Sequence, residues 1–116
     1  MFGIDSPSGY AEVAPGIRIK AVARGESVLM TKFAMGAGAK LPPHAHPHEQ
    51  IGCLVSGRIV LRIGGSSREM RPGDSWCVPS NAEHGADVLE DSVAIEVFSP
   101  IRADYLKYLN PADIAE

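Results

Sequence analysis

The stretch Gly38-Ala39-Lys40-Leu41-Pro42-Pro43-His44-Ala45-His46-Pro47-His48-Glu49-Gln50-Ile51-Gly52-Cys53-Leu54-Val55-Ser56-Gly57 decides how the chain is read. Three of the four histidines fall here, at every second position. In an extended strand, residues of equal parity share a face, so His44 and His46 project together. Gln50 has the same parity and opens the next strand. It joins them if Pro47 marks a local turn. Glu49 has the opposite parity and is expected to point away. The fourth histidine, His84, follows a second turn, Val78-Pro79-Ser80-Asn81-Ala82-Glu83, and can add a ligand from a neighbouring strand. Imidazoles with one oxygen ligand suit Zn, Ni, Fe, Mn or Co, so one divalent metal ion on His44, His46, Gln50 and His84 is the expectation. The competing reading is a surface histidine cluster with incidental metal affinity. The flanking Gly38 and Gly57, and the second turn that ends on His84, argue against it. His48 reads as a surface group or a neighbour of the ligands.

Outward from this stretch, apolar residues come in short runs broken by turn residues. Candidate strands are 17–24, 28–35, 50–55, 58–63, 67–70, 75–78, 84–89 and 93–98. Gly25-Glu26, Ser56-Gly57 and Gly64-Gly65 read as hairpin-like breaks. Arg71-Pro72-Gly73-Asp74 fits a type II turn, with Pro72 fixing φ and Gly73 accepting φ > 0. Many short strands between Gly- and Pro-rich turns indicate an all-β sandwich or barrel. One helix is expected, over about 100–110. Ser99 can be its N-cap, Pro100 its first residue, and Ile101, Tyr105 and Leu109 recur at helical spacing. Residues 1–15 read as a loose lead-in with room for one short strand, and 111–116 as a frayed tail.

The 116 residues allow one domain, with a core at about 16–100. A 45% hydrophobic and 22% charged composition is that of an ordinary globular protein. The net charge is -3, with no basic run or stripe, which excludes nucleic acid as an expected partner. No stretch approaches the roughly 20 apolar residues of a membrane-spanning helix. The start, MFGIDSPSGYAEVAPG, has neither a positive n-region nor an apolar h-region. Cys53 and Cys77 lack CxxC spacing and sit in apolar runs, so two buried thiols are expected. Together these features favour the cytoplasm.

The histidine segments resemble the two motifs of the cupin superfamily. Gly38, five residues, His44, Ala45 and His46, then Gln50 and Gly57, follow the spacing of the first. Gly73, five residues, Pro79 and His84 follow that of the second. Gln50 stands where the usual ligand is Glu, Asn81 where a turn Gly is usual, and Val88 where an Asn usually closes the motif. The resemblance implies a double-stranded β-helix, or jelly-roll barrel, with the metal inside. With Gln50, three neutral imidazoles and a neutral amide leave the ion's double charge uncompensated. Such a site attracts anions and polarises bound oxygen.

HAHPHEQIGCLVSG, with the later EVFSPIRADYL, is similar to the small pectin- and alginate-degradation cupins that open the ring of 4,5-unsaturated monouronates. In these the Gln ligand is usual. The resemblance implies catalytic roles for Glu96, Phe98 and Arg102, with Glu96 in place of the usual Asp. It also implies a small anionic sugar-acid substrate and a linear keto-aldehyde product. Glu96 and Phe98 share a strand face with Ala94, which suits a lined cavity; the lesser alternative for Glu96 is a solvent-facing edge residue, and Phe98 alone reads more often as core. Arg102 is expected in the first helical turn, where a cation is mildly unfavourable and a carboxylate partner would offset it. The rival functions are an Fe(II)-dependent oxygenase and a non-catalytic module that binds a metal and a sugar acid. On the opposite face lie Ile51, Cys53, Val55, Val93, Ile95 and Val97. An apolar outer face needs cover, and a homodimer is the expected solution.

Overall fold

The computed structural model describes residues 1–116. Ten strands form in chain order. They are β1 (Phe2–Gly3), β2 (Ala11–Ala14), β3 (Ile17–Arg24), β4 (Leu29–Met35), β5 (Lys40–His44), β6 (Glu49–Ile63), β7 (Ser66–Met70), β8 (Ser75–Val78), β9 (His84–Ser99) and β10 (Ile114–Ala115). All but β1 and β10 join one antiparallel network. Its path is β2-β3-β4-β9-β6-β7, with β5 on β9 and β8 on β6. The result is the jelly-roll barrel expected from the sequence.

Two strands organise it. The sequence pattern predicts a break in each, at Ser56-Gly57 and between 89 and 93, but both strands run through. The first half of β6 pairs with the second half of β9, from Glu49↔Ser99 to Ser56↔Val93. The second half of β6 pairs with the first half of β9, from Arg58↔Glu90 to Ile63↔His84. The register slips around Ser56 and Arg58, and Gly57 has φ 90°. Ser56-Gly57 is therefore a bulge and not a hairpin. It bends both strands at one corner, so each serves both layers of the barrel. β4 and β8 flank the first layer, while β5 and β7 flank the second.

The expected hairpin at Gly64-Gly65 forms, with Ile63 opposite Ser66. The type II turn forms as well: Asp74 N–H donates to the Arg71 carbonyl at 2.9 Å, and Gly73 has φ 96°. Period-2 burial is strict in β4, where Leu29, Thr31, Phe33 and Met35 point inward, and in β9, where Ser92, Ala94, Glu96 and Phe98 do. Ile17, Ile19, Phe33, Leu54, Ile59, Trp76, Val78 and Val88 belong to one buried apolar cluster that fills the barrel beneath the histidines.

Three further expectations need correction. The helix over 100–110 is instead a 3-10 helix at Ala103–Tyr108. Ser99 ends β9, and the N-cap position falls on Arg102, which makes no side-chain cap. A 3-10 helix aligns residues three apart, and the pair it turns toward the core is Tyr105 and Tyr108, not Ile101, Tyr105 and Leu109. The tail is not frayed: a second 3-10 turn at Pro111–Asp113 leads into β10, which pairs with β1. Nor are the thiols buried. Cys53 is half-buried and Cys77 exposed, because their parity on β6 and β8 puts them on the outer face.

Candidate metal centre

His44 ends β5 and lies directly across from His84, the first residue of β9. His46 follows in the connection to β6, and Gln50 is the second residue of β6. Four separate points of the chain thus meet at one end of the barrel. One ring nitrogen from each of His44, His46 and His84 lies within 4.8 Å of the others. His46 Nε2 is 3.1 Å from Gln50 Oε1.

The hydrogen bonds around the rings set their protonation. His44 Nδ1 is 2.9 Å from the Pro42 carbonyl, His46 Nδ1 is 3.0 Å from the His48 carbonyl, and His84 Nδ1 is 3.0 Å from the Ala82 carbonyl. A carbonyl only accepts, so each Nδ1 carries the proton and donates to the backbone two residues away. Each Nε2 is then left as a bare lone pair. This is the arrangement that orients metal-binding imidazoles. Burial and the nearby Arg102 cation push the His46 pKa down to about 4, and burial lowers that of His84. Both rings are neutral at pH 7, the state a metal requires.

Two features show that this donor set suits a cation. His84 Nε2 is buried with no hydrogen-bond partner. An orphaned buried acceptor is costly, and a metal ion would satisfy it. Gln50 supplies the second. Its Oε1 lies 3.1 Å from His46 Nε2, and with the His46 proton on Nδ1 neither atom can donate. Two acceptors therefore point at each other. A cation between them turns that repulsion into shared coordination.

The residues assigned catalytic roles by resemblance lie beside this centre. A pocket of about 590 Å³, part of it open to solvent, has His44, Gln50, His84, Glu96, Phe98 and Arg102 in its wall. Glu96 is 7% exposed, so it is not the solvent-facing edge residue of the alternative reading. Burial pushes its carboxyl up to about 7, against the pull of hydrogen bonds from Gln50 and Trp76. Phe98 is 1% exposed, with its ring centroid 5.8 Å from that of His46.

The Arg102 guanidinium lies 3.9 Å from the Tyr105 ring centroid and 5.5 Å from that of Phe98. Its Nε donates to Asp104 at 3.3 Å. Arg102 precedes the 3-10 helix instead of entering its first turn, so the expected dipole penalty gives way to an aromatic and carboxylate cradle. His48 is half-buried, its ring centroid 5.5 Å from that of His46, and it lies outside the triad.

The sequence gives no separate signal for Trp76, and it points to Tyr105 only as a residue of the expected helix face. Trp76 has the same inward parity as Val78 on β8, a signal shared with ordinary core residues. Tyr105 follows Arg102 by three residues, which becomes informative only once the 3-10 geometry is known.

Comparison with known proteins agrees with this arrangement. The chain is 34% identical over 105 residues to the "Pectin degradation protein KdgF" of Dickeya dadantii, covering 89% of this chain and 96% of that one. The solved structure of KdgF from Halomonas sp. superposes with a TM-score of 0.86 at 37% identity, covering 91% of this chain and all of that one. An RmlC-like cupin from Shewanella frigidimarina superposes with a TM-score of 0.85 at 26% identity, over 90% of this chain and 95% of the other. The model of the cupin domain matches residues 31–99, which run from β4 to the end of β9 and contain all four candidate ligands, and by that match the chain belongs to the cupin family.

Proposed function

We propose that the protein opens the ring of 4,5-unsaturated monouronates released in pectin or alginate breakdown, giving the linear keto-aldehyde. One divalent metal ion would be held by His44, His46, Gln50 and His84. The observation that carries this reading is the one pocket that joins His44, Gln50 and His84 to Glu96 and Arg102, in a chain similar over nearly its whole length to KdgF.

The substrate is a cyclic enol ether with a hemiacetal at C1. Ring opening moves one proton from the C1 hydroxyl to C4. The C1–ring-oxygen bond breaks, C1 becomes an aldehyde, and the released enol at C5 becomes a ketone as C4 gains its proton. A bound divalent ion supplies Lewis-acid stabilisation of negative charge on substrate oxygens. Glu96 moves the proton between oxygen and C4; a carboxyl titrating near neutrality suits both directions of transfer. Arg102 pairs with the substrate carboxylate, bidentately where the fork allows. Phe98 forms the pocket wall behind Arg102 and His46. A small anionic substrate matches a site whose nearest charges are the ion and a guanidinium.

The direct test follows the C4=C5 ultraviolet absorbance of purified unsaturated galacturonate. Metal-loaded protein is expected to speed its loss above the spontaneous rate. An unchanged rate overturns the reading.

We also propose that a cytoplasmic homodimer is the working form. No helix is long and apolar enough to cross a membrane. Ile51 and Val55 are 55% and 53% exposed, and Met30 is 40% exposed. Met30, Val97, Ile51 and Cys77 form one rung across β4, β9, β6 and β8 on the outer face. A second copy laid on this sheet would cover it. Light scattering at micromolar concentration is expected to give twice the chain mass, and a monomer would refute the dimer.

A further inference from the structure

Gly52 stands in the middle of a three-strand rung. It is opposite Trp76 on β8 and opposite Glu96 on β9. All three residues face the barrel interior. Because Gly52 has no side chain, its two neighbours meet above it. The Trp76 indole Nε1 is 3.1 Å from Glu96 Oε1 and 3.2 Å from Oε2. The indole N–H can only donate, and it is shared by both carboxyl oxygens. A Cβ on residue 52 would lie 2.5 Å from the indole nitrogen and 2.6 Å from the Glu96 carboxyl carbon. Gly52 is therefore the gap through which the two side chains reach each other.

We infer that Trp76 and Gly52 are positioning residues: together they fix where the Glu96 carboxyl group stands in the pocket. Glu96 has one methylene more than Asp and one more torsion to restrain. Left free, its carboxyl group would sample several rotamers near the substrate. The indole N–H holds both carboxyl oxygens in one orientation, so the group is fixed before substrate enters. The bare backbone at position 52 keeps the clamp open. What the carboxyl group then does rests on the ring-opening reading; that it is held by the indole does not.

The experiment separates the two. Trp76 is the chain's single tryptophan, so 15N-labelled protein gives one indole N–H resonance and one source of tryptophan fluorescence. In metal-loaded protein, Glu96→Gln and Glu96→Asp are each expected to shift that resonance and the emission maximum. An indole signal that ignores both substitutions overturns the inference, whether or not any substrate turns over. Kinetics supplies the second arm. Trp76→Phe keeps the ring's bulk and loses the donor. It is expected to lower kcat by roughly 10- to 100-fold, the usual effect of losing one charge-assisted hydrogen bond. KM and metal stoichiometry should stay within about twofold.

Gly52→Ala drives the indole and the carboxyl group apart, so the folded variant should displace the indole resonance and lower kcat similarly. Wild-type kcat in either folded variant overturns the inference. If Trp76→Phe does not fold, Gly52→Ala and the Glu96 spectra decide. If the wild-type protein leaves the unsaturated uronate untouched, the ring-opening reading fails, and the spectra still decide on the clamp.

Discussion

Gln50 connects the metal centre to the carboxyl group. Its amide oxygen lies 3.1 Å from His46 Nε2, and its side chain favours the charged form of the Glu96 carboxyl. Gln50→Glu adds one negative charge between the metal centre and Glu96. Like charge nearby pushes the Glu96 carboxyl further up, and the added anion lowers the pull on an anionic substrate. A unit charge several ångströms away in a part-buried site changes binding by roughly tenfold or more. Tighter metal retention and a KM raised by that factor are the expected outcome, measured by metal titration and steady-state kinetics. An unchanged KM would remove the electrostatic account of substrate recognition. At this scale the sequence was informative wherever chemistry is local. The parity of His44 and His46, and the grouping of Glu96 with Phe98 and Ala94, follow from the two-residue repeat of a strand. The partnership of Trp76 with Glu96 was not legible, because it depends on the pairing of β8 and β9 with β6 across 20 residues of chain.

The corner at Gly57 is the element on which the site depends. Its φ of 90° lies where L side chains are strained, and a Cβ there would sit 2.6 Å from the Ser92 Cα. Ser92 Oγ also accepts the Arg58 N–H at 3.0 Å, tying the bulge to β9. Gly57→Ala therefore combines backbone strain with a clash against another strand. The expected cost is roughly 2–4 kcal/mol, read as a lower denaturation midpoint with an unchanged slope. Loss of less than about 1 kcal/mol would mean that the corner relaxes freely. The sequence reading placed a turn residue here correctly and its consequence wrongly. Ser56-Gly57 carries the composition of a hairpin, and only the β9 register distinguishes a bend within one strand from a reversal between two. The C-terminal helix failed for a related reason. Spacing by four between Ile101, Tyr105 and Leu109 is an α-helical signal, but the core contact uses Tyr105 and Tyr108, three apart, and Leu109 bridges to Ala21.

Across the whole molecule, the termini close over the outside of β3. Ile4 N–H donates to the Asp113 carbonyl at 2.7 Å, and β1 pairs with β10. Beneath them Lys20, only 2% exposed, forms an ion pair with Asp113 at 2.6 Å and donates to the Ser6 carbonyl at 3.1 Å. The barrel was legible from turns and strand lengths; this clasp was not. Lys20 sits at an outward position of β3, and nothing in its neighbourhood of the sequence shows that both chain ends cover it. The clasp makes a pH prediction. Hydrogen bonds from Lys20 and Ser6 hold the Asp113 carboxyl below the usual carboxylate range. A group whose pKa is depressed by folding stabilises the fold above its unfolded value, about 3.9, and loses that contribution as pH falls through the folded value. Asp113→Asn removes the charge at every pH. It should therefore lower Tm by several degrees at pH 7, where the ion pair is intact in the wild type. The gap between the two proteins should narrow steadily below about pH 4, because acid then does to Asp113 what the substitution has already done. Calorimetry of both proteins from pH 7 to pH 2.5 checks this, and a gap that stays constant over that range would show that the clasp owes its strength to packing and not to charge.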